Sequence, residues 1–230
     1  MNTERIIEQL HSHLVSGERR SARKFVRALY SAGASAETLA KEVFWPLLEM
    51  TSTLFRKDQM TTLAHQYSTR MLRMFVDQAQ ERYEEKALRG RSICVFCGPN
   101  ETEELAGQMV ADLLEADGYE VTFAGGGVAN DDISEELAAR QPDVLLMFAS
   151  SAKDAPMIRE LIDSIREKNA HPAMQIVVGG GIFNRAPGLD EEIGADTSAK
   201  GPADLLKTLL TQKNVRNERW AKKLRVRAAA

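Results

Sequence analysis

Apolar residues along positions 1–88 recur every third or fourth residue and nowhere alternate. Ile6, Ile7, Leu10 and Leu14 form one stripe, and Phe25, Val26 and Leu29 a second. Leu39, Val43, Leu47 and Leu48 form a third, and a longer pattern runs from Met60 to Tyr83. That period is helical. Breaks fall at Ser16-Gly17 and across positions 31–35, where Ser35 is placed to cap the next helix. Pro46 is expected to interrupt or kink the third segment. The spacing predicts a bundle of four or five helices over 1–88.

The period changes after the charged stretch that ends at Gly90. Continuous apolar runs of strand length follow at 92–97, 119–123, 143–149 and 175–178, with a weak fifth at 196–198. Helical patterns at 103–117, 131–140, 154–168 and 202–212 separate them. Strands apolar on both faces, alternating with amphipathic helices, predict a parallel sheet covered on both sides. Five strands in this length suit an α/β domain with flavodoxin-like winding over 91–213, leaving a basic tail at 214–230. Ligands of such sheets sit beyond the carboxyl ends of the strands, which directs attention to the loops at 98–104, 124–130, 149–155 and 179–185.

Composition adds bounds. With 43% hydrophobic and 27% charged residues and a net charge of −3, the chain reads as globular. That charge supplies no global attraction to nucleic acid or to an acidic membrane. No apolar run reaches membrane-spanning length, and the amphipathic start lacks a signal-peptide core, so a cytoplasmic protein is expected. Cys94 and Cys97 sit in an apolar strand that would point them to opposite faces, as core thiols rather than a redox pair. The tail carries six Lys/Arg against one Glu, with Trp220 among them, and reads as a solvated helical extension.

The loops hold two triple glycines, 125–127 and 179–181, of which Gly126, Gly179, Gly180 and Gly181 are candidates for close approach of a ligand. Neither triplet fits a dinucleotide or phosphate-loop spacing, which disfavours a nucleotide enzyme. Asn100 or Thr102 can cap the first helix of the sheet domain, with Glu103 and Glu104 complementing its dipole. No nucleophile–base–acid arrangement stands out, and Glu103, Glu104, Asp131 and Asp132 all fall at helix starts where capping accounts for them.

A helical bundle followed by this α/β order resembles the cobalamin (vitamin B12)-binding modules of methionine synthase, corrinoid methyl carriers and B12 photoreceptor regulators. Members carry an acid, one residue, a cobalt-ligating His, two residues and Gly after the first strand; here Thr102, Glu104 and Gly107 hold the three motif positions. The segments ADLLEADGYEV, IVVGGG and GADTSAKGPADLLKTLL resemble the family's later elements. The departures are Glu104 for the histidine and Thr102 for the acid that orients it; a carboxylate is a poor substitute for imidazole on such a metal. The family's serine motif aligns with Phe148, whose ring could fill the slot of the nucleotide tail, while Ser150 and Ser151 lie nearby. In the cap, the photoreceptors carry Trp, nine residues, then Glu-His; this chain has Leu54 and Ala64 in the first two places and keeps His65.

The resemblance implies a non-catalytic sensory or regulatory protein that is not an enzyme on its own. It would hold cobalamin with its own base coordinated, or a related tetrapyrrole (heme, bilin), between cap and sheet. His65 would be a possible axial metal ligand, and Leu54, Thr102, Glu104, Gly107, Gly126, Ser150, Ser151 and Gly179–Gly181 would line the ligand. A regulatory or signalling protein would read its state, with homo-oligomers allowed and no direct nucleic-acid or membrane contact. Two alternatives accompany this reading: a corrinoid carrier subunit of a methyltransferase system, and a degenerate scaffold that binds no cofactor.

Overall fold

A computed structural model describes residues 2–168, 171–213 and 215–217. The chain divides into two units, Met1–Glu85 and the remainder from Lys86.

The first unit is helical throughout: α1 Thr3–Val15, α2 Arg19–Ser31, α3 Ala36–Leu39, α4 Trp45–Arg56 and α5 Thr62–Gln80. Asn2, Ser35 and Thr61 cap α1, α3 and α5 by accepting backbone N–H groups two or three residues on. Pro46 does not break its helix. The stretch Ala40–Phe44 between α3 and α4 is a π-helix, and the chain passes through it without interruption. A wider turn there relieves the clash of the proline ring with the preceding turn and absorbs its missing donor. Leu10, Leu14, Leu39, Leu47 and Leu72 are buried, with Phe44 stacked on Phe75 at 5.9 Å between ring centres.

The second unit carries five parallel strands in the order β2-β1-β3-β4-β5: β1 Ser92–Cys97, β2 Glu120–Gly126, β3 Val144–Phe148, β4 Gln175–Gly179 and β5 Thr197–Ala199. Helices α6 Glu101–Ala116, α7 Asn130–Arg140, α8 Ala155–Lys168 and α11 Pro202–Thr211 connect and cover them, with short α9 Gly181–Arg185 and α10 Leu189–Glu192 after β4. Cys94, Phe96, Leu145, Met147, Ile176 and Val178 pack with α7 and α8 in one core layer. The alternate strand residues face α6 and α11. Cys94 and Cys97 therefore point to opposite faces, and burial pushes the Cys94 thiol up, away from reactivity.

Strand β2 runs three residues beyond the expected 119–123 and takes in the first two glycines of its triplet. The reason is a β-bulge: Val95 pairs with Phe123, but Cys97 pairs with Gly126, leaving one extra residue on β2, and Gly125 has φ +78°. The second triplet does not form an open loop either, since Gly181 begins α9. The charged stretch before β1 is tied down at its end, where Lys86 and Arg89 each lie 2.7 Å from the buried carboxylate of Asp117. Among the described residues no helix is long and apolar enough to cross a membrane. Of the expected tail, residue 214 and residues 218–230, with Trp220, lie outside the described residues.

Candidate functional site

The carboxyl edge of the sheet gathers the loops after β1, β2, β3 and β4, as the winding requires. Asn100 caps α6: its Oδ1 accepts the Glu103 N–H at 2.9 Å and its Nδ2 donates to Glu103 Oε2 at 2.5 Å. Glu103 is 1% exposed and also accepts the backbone N–H of Ser150 in the loop after β3. One carboxylate thus fastens the β1–α6 loop to the β3–α8 loop at the point where the strand order reverses. Thr102 and Glu104, beside it, are half-buried.

Gly98 lies against this carboxylate, and a Cβ there would collide with Glu103 Oε2 and meet Asp154 Oδ2 at 3.2 Å. The two acids converge on one small volume. Burial pushes the Glu103 carboxyl above its usual range, the Ser150 N–H pulls it partly back, and the Asp154 charge pushes it up again. Asp154 Oδ2 is itself buried without a hydrogen-bond partner. It borders a cavity of about 360 Å³ whose walls include Phe96, Val128, Ile133, Met147 and Met157. That cavity lies on the α7/α8 side of the sheet.

On the α6/α11 side, Phe148 is 5% exposed and packs over β4, where a Cβ on Gly179 would meet its ring at 3.1 Å. Gly107 is likewise required within the chain, because a Cβ there would lie 2.9 Å from the Phe123 ring. A side chain on Gly126 would collide with the carbonyl of Gly98, and one on Gly180, which has φ +100°, with the carbonyl of Ala149. A Cβ on Gly181 would meet an Arg185 guanidinium nitrogen at 2.6 Å. The Ser150 carbonyl accepts from the same guanidinium, and the Ser151 Oγ accepts the Lys153 N–H at 3.3 Å. Close approach within the chain thus accounts for these glycines, by backbone at Gly126 and Gly180 and by side chains at Gly107, Gly179 and Gly181.

Leu54 and His65 lie in the helical unit, on α4 and in the first turn of α5. The His65 ring stacks on Phe55 with 4.1 Å between ring centres. Among the described residues no group of three or more His, Cys, Asp or Glu is placed to hold a metal ion.

Glu103 does lie in the first turn of α6, bonded to the capping Asn100, but its burial and its bond to Ser150 give it a second role that the helix start does not account for. The signal was present. Glu103 stands on the stripe of Gly107, Val110 and Leu114, an acid at a core position of α6. Asp154 carried no such signal, because only folding brings its loop to Gly98.

Residues 91–209 match the B12 binding domain family, and the chain belongs to it. Two monomethylamine corrinoid proteins of Methanosarcina mazei are each 28% identical over 120 residues, covering 50% of this chain and 53% of theirs. The chain thus matches about half the length of these relatives. The solved structure of a Methanosarcina barkeri monomethylamine corrinoid protein superposes with a TM-score of 0.70 at 17% identity, over 91% of this chain and 99% of that one. The methanol:cobalamin methyltransferase complex MtaBC of the same organism gives 0.50 at 14% identity, over 95% of this chain and 84% of that chain. Both likenesses are of fold. Of the expected ligands, the comparisons support a corrinoid and not a heme or bilin, and they lend no support to a sensory role.

Proposed function

We propose that this chain is a corrinoid-binding protein of the carrier type, which holds its cofactor at the carboxyl edge of the sheet and presents it to partner enzymes. The observation that carries this reading is the match of residues 91–209 to the B12 binding domain family, with corrinoid proteins as the relatives. A bound corrinoid supplies a cobalt centre able to accept and release a methyl group. The chain's own part is binding and orientation.

The donor set at this edge does not fit the axial ligation expected of the family. Residue 104 offers a carboxylate where an imidazole is needed, and Thr102 in the acid's place leaves nothing to orient one. Phe148, packed over Gly179, occupies the α6/α11 side where the resemblance places a nucleotide tail. These residues would therefore give a bound corrinoid no protein nitrogen ligand, and its own base would be left in place. What the chain does supply is a rigid platform: Glu103 locks two loops together, and the Gly126 and Gly180 turns bring neighbouring loop backbones close.

The test is to purify the full chain after supplying hydroxocobalamin, desalt it, and record the visible spectrum. A retained band that reports a base-on corrinoid, followed by methyl transfer to an added methyltransferase, is the expected result. A colourless protein would overturn the reading in favour of a cofactor-free scaffold. A tightly held corrinoid that no methyltransferase discharges would instead restore a regulatory role.

A further inference from the structure

The strongest unexplained feature lies in the helical unit, on residues that the proposed function does not use. Helix α2 carries Arg20, Arg23, Lys24 and Arg27 at i, i+3, i+4 and i+7, which puts all four on one face. They border a concavity of about 600 Å³ completed by Met74 and Gln78 of α5. Among the described residues none of the four has an ion-pair partner. Glu18, the acid that opens the helix, turns its carboxylate to His13 at 3.0 Å and makes no cap bond.

This arrangement opposes helix formation locally. Like charges at i,i+3 and i,i+4 repel, and cations near a helix N-terminus meet the positive end of its dipole. The first turn of α2 contains no acid to offset them. A clustered anion would relieve every one of these repulsions together.

We infer that the α2–α5 concavity is a binding site for a small polyanion of nucleotide size that bears two or more phosphoryl groups. Three of the four cations are arginines, whose planar forks bind phosphoryl oxygens in pairs. Gln78 stands across from them to read hydrogen-bonding groups, and half-buried Met74 offers an apolar contact for the rest of the ligand. No aromatic ring lines the concavity, which argues against stacked bases of a nucleic-acid strand. The apolar face of α2 (Ala22, Val26, Leu29) is buried, which argues against insertion into a membrane.

The test is isothermal titration of the full chain with inorganic tripolyphosphate, with orthophosphate as comparison, at about 0.15 M salt where diffuse surface attraction is screened. Saturable one-site binding is expected, about ten-fold or more tighter than orthophosphate. The Arg23→Gln/Arg27→Gln variant should lose at least about ten-fold, and Arg23→Lys/Arg27→Lys should fall between, because charge without the fork recovers only part. Arg20→Gln/Lys24→Gln serves as a second variant should the first lose its helical circular dichroism. Equal affinity for the two phosphates, or neutral variants that bind unchanged, would overturn the site. Tighter binding to anionic phosphatidylserine vesicles or to polyglutamate than to tripolyphosphate would also overturn it, in favour of a macromolecular surface. Calorimetry needs no corrinoid, so this outcome is independent of the function proposed above.

Discussion

The two ends of the sheet treat buried charge in opposite ways. At the amino end, Asp196 accepts the backbone N–H groups of Ile176 and Asn217, each at 2.8 Å, and lies 2.7 Å from Arg166, both side chains being buried. The Arg166 contact is off-line for a hydrogen bond, so its contribution is electrostatic. Nearby, Arg91 donates to Gln175 and to the Leu209 carbonyl, and Gln175 donates to the Gln212 carbonyl, all at 2.8 Å. Together these bonds fasten the ends of β1, β4 and α11. At the carboxyl end, two acids converge on Gly98, and among the described residues neither makes an ion pair within 4 Å; one carboxyl is pushed up, and one oxygen has no hydrogen-bond partner. The buried acid at the amino edge has a cation and two N–H donors against it, whereas the two acids at the carboxyl edge, where we propose that the corrinoid binds, face each other. Folded sequences concentrate such inconsistencies at functional sites.

The comparison can be broken most severely at the amino end. Asp196→Ala should strand Arg166 in the core and expose two N–H groups without an acceptor, costing about 3–5 kcal/mol, read as a lower urea midpoint. At the carboxyl end, Gly180→Ala should cost about 1–3 kcal/mol, because the Ala149 carbonyl blocks the Cβ and φ is unfavourable. A cost at Gly180 equal to that at Asp196 would erase the contrast between the edges.

Glu103 sharpens the contrast through pH. Its carboxyl is raised in the folded state, so the folded state binds more protons than the unfolded one over that window. Stability from this group is present below the ordinary carboxylate range, roughly pH 4, and declines as pH rises through the raised folded value. Glu103→Gln should flatten that decline and leave the protein at neutral pH as stable or more so, since an amide can donate toward Asp154. Urea unfolding across the pH range checks it, and a slope identical to that of the parent would remove Glu103 as its source.

The smallest effect on stability is expected at residue 104, half-buried at the start of α6. Glu104→His should change stability by no more than about 0.5 kcal/mol. Its test belongs to the loaded protein: with ¹⁵N-histidine labelling, the cobalt(II) paramagnetic resonance should show no protein nitrogen ligand in parent or variant, because Thr102 does not orient the imidazole and Phe148 fills the place of a displaced base. A ¹⁵N splitting in the variant would overturn the base-on reading.

Periodicity alone determined much of this protein. The switch from helical stripes to apolar strand runs at about residue 90 separated bundle from sheet and placed all five strands, because burial imposes its period on the residues it selects. The glycine triplets and the Thr102-x-Glu104-x-x-Gly107 segment marked the carboxyl edge for the same local reason: turns and helix starts restrict which residues fit. Tertiary structure decided the roles. Whether a glycine admits a ligand or a neighbouring carbonyl depends on what stands opposite it, and for Gly126 and Gly180 that is Gly98 and Ala149 of other loops. Whether Glu103 is a solvated cap or a buried clamp depends on Ser150, forty-seven residues on. Helical spacing placed it on the inner stripe of α6. Only the packed loops surround it with Asp154 and Gly98, and desolvation and charge acting through space raise the carboxyl of this helix-start acid above its usual range.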